Sequence, residues 1–103
     1  MNQQAMLRLK KMQKEMMAKQ NELMETVFTG TAGGGMVEVK VKGDHTVVSI
    51  NVDEDAFESK EDIEMIQDSI VAALNDANRK LDSESQKLLG GFGGGLGGFG
   101  GLF

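Results

Sequence analysis

The sequence contains no cysteine, proline, tryptophan or tyrosine, and only one histidine in 103 residues. Without cysteine, the chain cannot form a disulfide, a thiolate zinc site or a thiol nucleophile. A single histidine leaves no partner for a histidine-based metal site or a catalytic triad. We therefore predict a protein that is not an enzyme, with no catalytic residues, no metal, no cofactor and no small-molecule substrate.

Long apolar runs are also absent. No stretch of about 18 apolar residues occurs, so no segment meets the length that a membrane-spanning helix needs. The N-terminal residues 1–20 are polar and lack the apolar block and cleavage site of a secretory signal. We expect a soluble, cytoplasmic, single-domain protein that does not bind membranes.

The chain has no overall excess of positive charge, because its formal net charge is -5. An average surface of this sign would repel a nucleic acid. The charges are segregated, however. Residues 1–19 carry five basic residues and one acid, whereas residues 53–68 carry eight acids and one base. The total therefore hides a basic N-terminal segment, which must be considered separately.

The segment from Asn2 to about Thr26 has no glycine and consists mainly of strong helix formers, which predicts one long helix. A helix of about 25 residues is roughly 37 Å long, whereas a domain of about 100 residues has a radius near 13 Å, so the helix must project. Its apolar residues form one stripe at helical spacing. A projecting apolar stripe would be exposed in a monomer, so we predict a homodimer. The dimer residues expected on this stripe are Leu9, Met12, Met16 and Leu23.

Basic residues occupy the opposite side of the same predicted helix. They are Arg8, Lys10, Lys11, Lys14 and Lys19. Two interpretations are open, a surface that contacts phosphates and a solvated surface that keeps the protein in solution. The helix has no aromatic side chain for base stacking, which disfavours recognition of single strands.

After the first helix, apolar residues recur with a period of two residues. In Val37–Lys42 every second residue is valine, which predicts a strand with one buried face formed by the core residues Val37, Val39 and Val41. A turn at residues 43–45, which contains the lone histidine, leads into a second alternating run at residues 48–52. Residues 27–31 are the third predicted strand, because an isolated hairpin is marginally stable.

A second helix is predicted from Lys60 or Glu61 to Gln86, with Ser59 as its N-cap and an apolar face that covers the sheet. Residues 90–103 contain nine glycines and no charge, which predicts a disordered tail. We therefore predict a domain over residues 1–89 and a tail over residues 90–103. The fold class is α+β, an α-β-β-β-α protomer with a three-stranded antiparallel meander.

Three other patterns lack the features of a functional site. The glycines of residues 30–35 precede Met36-Val37 and a strand, where a phosphate-binding loop has Lys-Ser/Thr and a helix. The acidic residues 53–68 lack the spacing and the central glycine of a calcium loop. His45 has only turn residues beside it, which favours a solvated position.

The stretch Gly30-Thr31-Ala32-Gly33-Gly34-Gly35, the alternating strand after it and the Val71–Ala77 part of the second helix resemble the YbaB/EbfC family of bacterial nucleoid-associated proteins. The resemblance runs from about Met6 to Leu89. It implies a tweezer-like homodimer that binds double-stranded DNA in the nucleoid, with a role in nucleoid organisation and gene regulation. Weak sequence preference is expected because lysines act as point charges. The family's DNA contacts are attributed to the outward basic residues of the first helix, which are Arg8, Lys10, Lys11, Lys14 and Lys19 here.

An alternative function remains open at this point. A methionine-rich helix face adapts to irregular partners, so the chain also fits a protein-binding adaptor or a chaperone-like dimer that uses this helix. The two hypotheses place function on opposite sides of the same helix.

Overall fold

The computed structural model describes residues 2–56 and 62–93. Its order confirms the predicted α-β-β-β-α protomer. The helices and strands are α1 (Gln3–Glu25), β1 (Val27–Ala32), β2 (Val37–Lys42), β3 (Val47–Val52) and α2 (Ile63–Gly93), with short 3-10 turns at Gly33–Gly35 and Glu54–Ala56.

Helix α1 begins and ends with well-defined caps. The Asn2 side chain accepts a hydrogen bond from the backbone N–H of Ala5 at 2.7 Å, which pairs one of the free donors of the first turn. The helix ends at Thr26, whose backbone is extended and whose N–H donates to the Leu23 carbonyl at 3.1 Å. None of its residues is fully buried, and the protein is 70 Å long in its longest direction. The helix therefore projects from the sheet, as its length predicted.

The three strands form an antiparallel sheet in the order β1-β2-β3, with β2 in the centre. Val37, Val39 and Val41 of β2 are buried in the core of the protomer. They pack together with Phe28 of β1 and with three α2 side chains that face the sheet, Ala73, Ala77 and Leu81. The period-two pattern thus predicted the buried face of the central strand correctly.

Gly30 allows α2 to lie directly against β1. A side-chain carbon at this position would overlap the carbonyl oxygen of Ala73 and the backbone nitrogen of Ala77. Both alanines are completely buried, so the helix presents its smallest side chains where it crosses the strand. The close backbone approach that glycine-rich sequences favour is therefore found here.

A second close approach fixes the end of α1. A side-chain carbon at Gly43 would overlap the Leu23 carbonyl, and the Gly43 N–H donates to the Thr26 carbonyl at 3.0 Å. The Lys42 ammonium lies 3.0 Å from a Glu25 carboxylate oxygen, and the hydrogen bond between them raises the pKa of Lys42. The β2–β3 turn thus holds the last turn of α1. His45 lies in this turn, as predicted, with a left-handed φ of 71°.

Helix α2 is longer than predicted, because it continues through Gly93 instead of ending near Gln86. The first four residues of the predicted tail are therefore helical. A physical reason is that α2 runs beside α1 after it leaves the sheet, and its Leu88 side chain is half-buried there. The predicted cap Ser59 and the remaining tail, residues 94–103, lie outside the described residues.

Candidate nucleic-acid interface

Four of the five basic residues predicted on α1 have no partner in the part of the chain that the structure describes. Arg8, Lys10, Lys11 and Lys14 are exposed, and none forms an ion pair or a side-chain hydrogen bond within residues 2–56 and 62–93. Lys19 differs, because its ammonium lies 3.8 Å from a carboxylate oxygen of Glu22 one turn later. An exposed pair at this distance is weak, so Lys19 is partly neutralised but remains accessible.

The spacing of these cations suits a polyanion. The positions from Arg8 to Lys19 extend along roughly 16 Å of helix axis. A DNA duplex carries about ten phosphate charges over the same length, at one charge per about 1.7 Å. Side chains with no competing carboxylate can therefore each approach a phosphate. We call the exposed side formed by Arg8, Lys10, Lys11, Lys14 and Lys19 the basic face.

The acidic residues that follow β3 in the chain lie at the end of the sheet opposite to the base of α1. The turn that holds the base of α1 follows Lys42, the last residue of β2. At the other end of β2, the Asp53 N–H donates to the carbonyl of Met36, the residue before the strand, at 2.8 Å. Glu54 and Asp55 come next in the chain. Strand β2 separates these two ends by roughly 17 Å. The structure therefore separates the acids that follow β3 from the basic face in space as well as in sequence.

The residues predicted for the dimer and the core occupy different environments. Val37, Val39 and Val41 lie in the protomer core, as described above. At the base of α1, Leu23 packs against that core. Further out, Met12 and Met16 are half-buried and Leu9 is exposed. The projecting part of the apolar stripe is therefore incompletely covered by the described residues.

Two side chains of α2, which the sequence did not point to, close the outer edge of β1. The Thr31 N–H donates to Asp76 at 3.1 Å, and the Lys80 ammonium donates to the Thr29 carbonyl at 2.7 Å. The hydrogen bond from Thr31, together with Lys80, lowers the pKa of Asp76. The only available signal was an acid and a lysine one helical turn apart, which is common on solvated helices. These two contacts occupy β1 backbone groups that another strand would need.

The opposite edge strand, β3, is open and apolar. Val47, Val48 and Ile50 are 46–51% exposed, although Val48 and Ile50 belong to the predicted alternating run. The reason is that α2 packs mainly across β1 and β2. No residue of β3 carries a charge, and Val71 of α2 is exposed as well. An uncharged, exposed edge strand of this kind is a pairing surface that proteins usually block.

Residues 2–56 and 62–93 contain neither a cluster of metal ligands nor a membrane-spanning helix. No group of three or more His, Asp or Glu side chains there is arranged to hold a metal ion. None of the helices in the same ranges is long and apolar enough to cross a membrane.

Comparison with known proteins identifies the family of this chain. A nucleoid-associated protein of Ligilactobacillus salivarius is 41% identical over 91 residues, which are 87% of this chain and 86% of that protein. One of Chloroflexus aurantiacus is 37% identical over 93% of this chain and 96% of its own length. The crystal structure of an uncharacterised Helicobacter pylori protein, HP0035, matches with a TM-score of 0.70 and 28% identity, over 89% of this chain and 97% of that one. The model of the YbaB/EbfC DNA-binding family matches residues 1–96, so the chain belongs to this family.

Proposed function

We propose that this protein binds double-stranded DNA as a homodimer, through the basic face of α1 in each protomer. The observation that carries the proposal is the set of four exposed cations on one projecting helix that have no partner among the described residues. Membership of a DNA-binding family supports it, and the names of the relatives support a place in the nucleoid. A role in nucleoid organisation and in gene regulation is part of the proposal. Binding needs no catalytic group, metal or cofactor.

Contacts to phosphates supply most of the affinity in this proposal. Lysine acts as a point charge that attracts phosphates but does not distinguish bases, and three of the four unpaired cations are lysines. Arg8 is the one residue of the basic face with the planar donor group that reads a guanine edge. We therefore expect the protein to have weak sequence preference and to bind mainly through the shape and charge of the DNA.

A second copy of the chain fits best along β3. The β1 edge is closed by Asp76 and Lys80, whereas β3 is an edge strand that no other described strand pairs on its outer side and that has exposed apolar side chains. Because β3 carries no charge, two copies can pair there without bringing like charges together. Two protomers would present twice four, or eight, unpaired cations, and linked sites bind one duplex with higher avidity.

The experiment that tests DNA binding is a titration of labelled duplex DNA at several salt concentrations. If each of the eight unpaired cations contacts a phosphate, log affinity should fall linearly with log salt concentration with a slope of about -7. A slope near zero at measurable affinity would contradict the phosphate-contact mechanism. Single-stranded DNA of the same length is the matched competitor, and it should bind more weakly because α1 lacks aromatic side chains.

Replacing Ile50 with lysine is expected to produce monomers, because a charge would be placed on the proposed seam of the dimer. Sedimentation at several protein concentrations measures the mass. Leu9→Lys is a matched control, because Leu9 is an apolar residue of similar exposure, 42%, that lies on the α1 stripe. If Leu9→Lys produced monomers and Ile50→Lys did not, the seam would lie on α1, as the sequence alone suggested.

A further inference from the structure

Leu7 is a large apolar side chain that belongs to neither the core nor the apolar stripe of α1. It is 65% exposed, the highest fraction among the large apolar residues of the described ranges. The half-buried residues Met12, Met16 and Leu23 mark one side of α1, and Leu7 lies roughly 140–180° around the helix from them. A single exposed leucine is common on protein surfaces, so its function depends on its neighbours.

Cations flank Leu7 on both sides of its helix face. Lys11 lies about 40° from Leu7 around the helix axis in one direction, and Lys10 lies about 60° in the other direction. Lys14 is two turns further along α1 and within about 20° of Leu7. None of these lysines has a partner among the described residues. The one acid of residues 1–19, Glu15, is about 12 Å further along the helix. Leu7 is therefore the apolar centre of a surface that is positive on both sides.

The major groove of duplex DNA is complementary to this surface. A phosphate backbone borders the groove on each side, and the base edges form its floor. The groove is about 12 Å wide, which admits a helix of about 10–12 Å in diameter, whereas the minor groove is only about 6 Å wide. When cations on both sides of a helix face contact the two backbones, the side chain between them points to the base edges. On α1 that side chain is Leu7.

The N-terminal part of α1 is accessible to a duplex. Every residue from Asn2 to Lys11 is exposed, so the described residues leave this part of the helix open to a partner. It is roughly 14 Å long, which corresponds to nearly three helical turns. Leu7 lies near its middle. A duplex can therefore receive the turn that contains Leu7 without contact between the DNA and the sheet.

We propose that Leu7 enters the major groove and packs against the C5 methyl groups of thymines, an inference that rests on the proposed binding of α1 to duplex DNA. Thymine is the base that presents an apolar group in the major groove, whereas the other bases are distinguished there by hydrogen-bond donors and acceptors. A leucine side chain forms no hydrogen bond, so it favours thymine. The lysines still supply most of the affinity, and Leu7 adds a modest preference for A·T base pairs.

Two duplexes that differ only in the thymine methyl groups test this contact. One is an alternating adenine–thymine duplex, and in the other every thymine is replaced with deoxyuridine. The wild type should bind the thymine duplex about fourfold more tightly for each Leu7 that makes the contact, and roughly 15-fold more tightly when both protomers of a dimer do so. The measurement is a titration of each labelled duplex at one salt concentration. Equal affinities would overturn the proposal, because a leucine outside the major groove does not respond to these methyl groups.

A pair of variants assigns the preference to Leu7. Leu7→Ser should remove the difference between the two duplexes, because serine lacks the length and the apolar atoms of leucine. Leu9→Ser is the matched control, since Leu9 lies about 160° around the helix from Leu7, and it should keep the difference. Both variants should keep the wild-type salt slope, because no charge changes.

The two variants and the two duplexes also separate this inference from the proposed function. A preference for thymine that persists in Leu7→Ser, or that both variants lose equally, would overturn the role of Leu7 while DNA binding stands. Failure to bind either duplex would overturn the proposed function, and this inference with it. Circular dichroism and sedimentation check that both variants keep the fold and the mass of the wild type.

Discussion

Replacing Gly30 with alanine is expected to destabilise the fold by about 3–5 kcal/mol, more than the roughly 1–3 kcal/mol that overpacking substitutions typically cost. The added carbon would overlap backbone atoms of Ala73 and Ala77, and backbone of a helix cannot move aside as a flexible side chain can. Relief of the overlap requires α2 to shift away from β1. That shift would loosen the packing of Leu81 and Phe28 and lengthen the Asp76–Thr31 hydrogen bond.

Urea denaturation followed by circular dichroism, at one fixed protein concentration, measures this effect. Gly90→Ala is the matched control, because Gly90 is in α2 and a side-chain carbon there meets nothing within 4 Å. This control should be slightly more stable than the wild type, by roughly 0.5–1 kcal/mol, because alanine favours helix. If the two variants had the same urea midpoint, α2 would not pack on β1 as closely as the structure indicates.

The order of helices and strands could be predicted because each has a clear period. The valines of β2 repeat every second residue, and the apolar residues of α1 and α2 repeat every three or four. Burial on β3 could not be predicted in this way. Alternation indicates which side chains share a face with Val39, but it does not indicate whether a helix is wide enough to cover the edge strand. Ile50 is therefore exposed although its pattern resembles that of a buried residue.

The basic face could also be predicted, because the angular positions of Arg8, Lys10, Lys11 and Lys14 follow from helical geometry alone. The pairing of Lys19 with Glu22 could not, because many lysines three residues from an acid stay unpaired. The closure of the β1 edge by Asp76 and Lys80 could not be predicted from the sequence for another reason. It joins residues 31 and 76, and only the crossing of α2 at Gly30 brings them together.

A net charge of -5 does not prevent DNA binding when the charges are arranged in this way. Salt screens exposed charges over a Debye length of about 8 Å at physiological ionic strength. The acids that follow β3 are separated from the base of α1 by the length of the sheet, which is greater than this distance. A duplex on α1 therefore interacts mainly with local cations. The acidic end instead disfavours DNA on the rest of the surface, which restricts binding to one end of the protein.

Changing Lys10, Lys11 and Lys14 together to glutamine is expected to reduce affinity for duplex DNA on the order of 10³-fold at about 0.1 M salt. In a dimer this substitution removes six phosphate contacts, so the slope of log affinity against log salt should become less negative by about 5. Stability should change little, because these side chains are exposed and have no partner among the described residues. The measurement is the same titration of labelled duplex, with circular dichroism as a check on folding.

A matched control separates the position of the charges from their number. Changing Lys40, Arg79 and Lys87 to glutamine also removes three positive charges, and each of these residues already pairs with a nearby acid. This control should lose far less affinity than the α1 variant, because it leaves all four unpaired cations in place. Equal losses would mean that DNA responds to net charge alone, and the basic face would have no special role. If the α1 variant bound DNA normally but a Met12→Asp variant lost a partner protein, the adaptor hypothesis would replace DNA binding, because only the apolar side of α1 would then carry function.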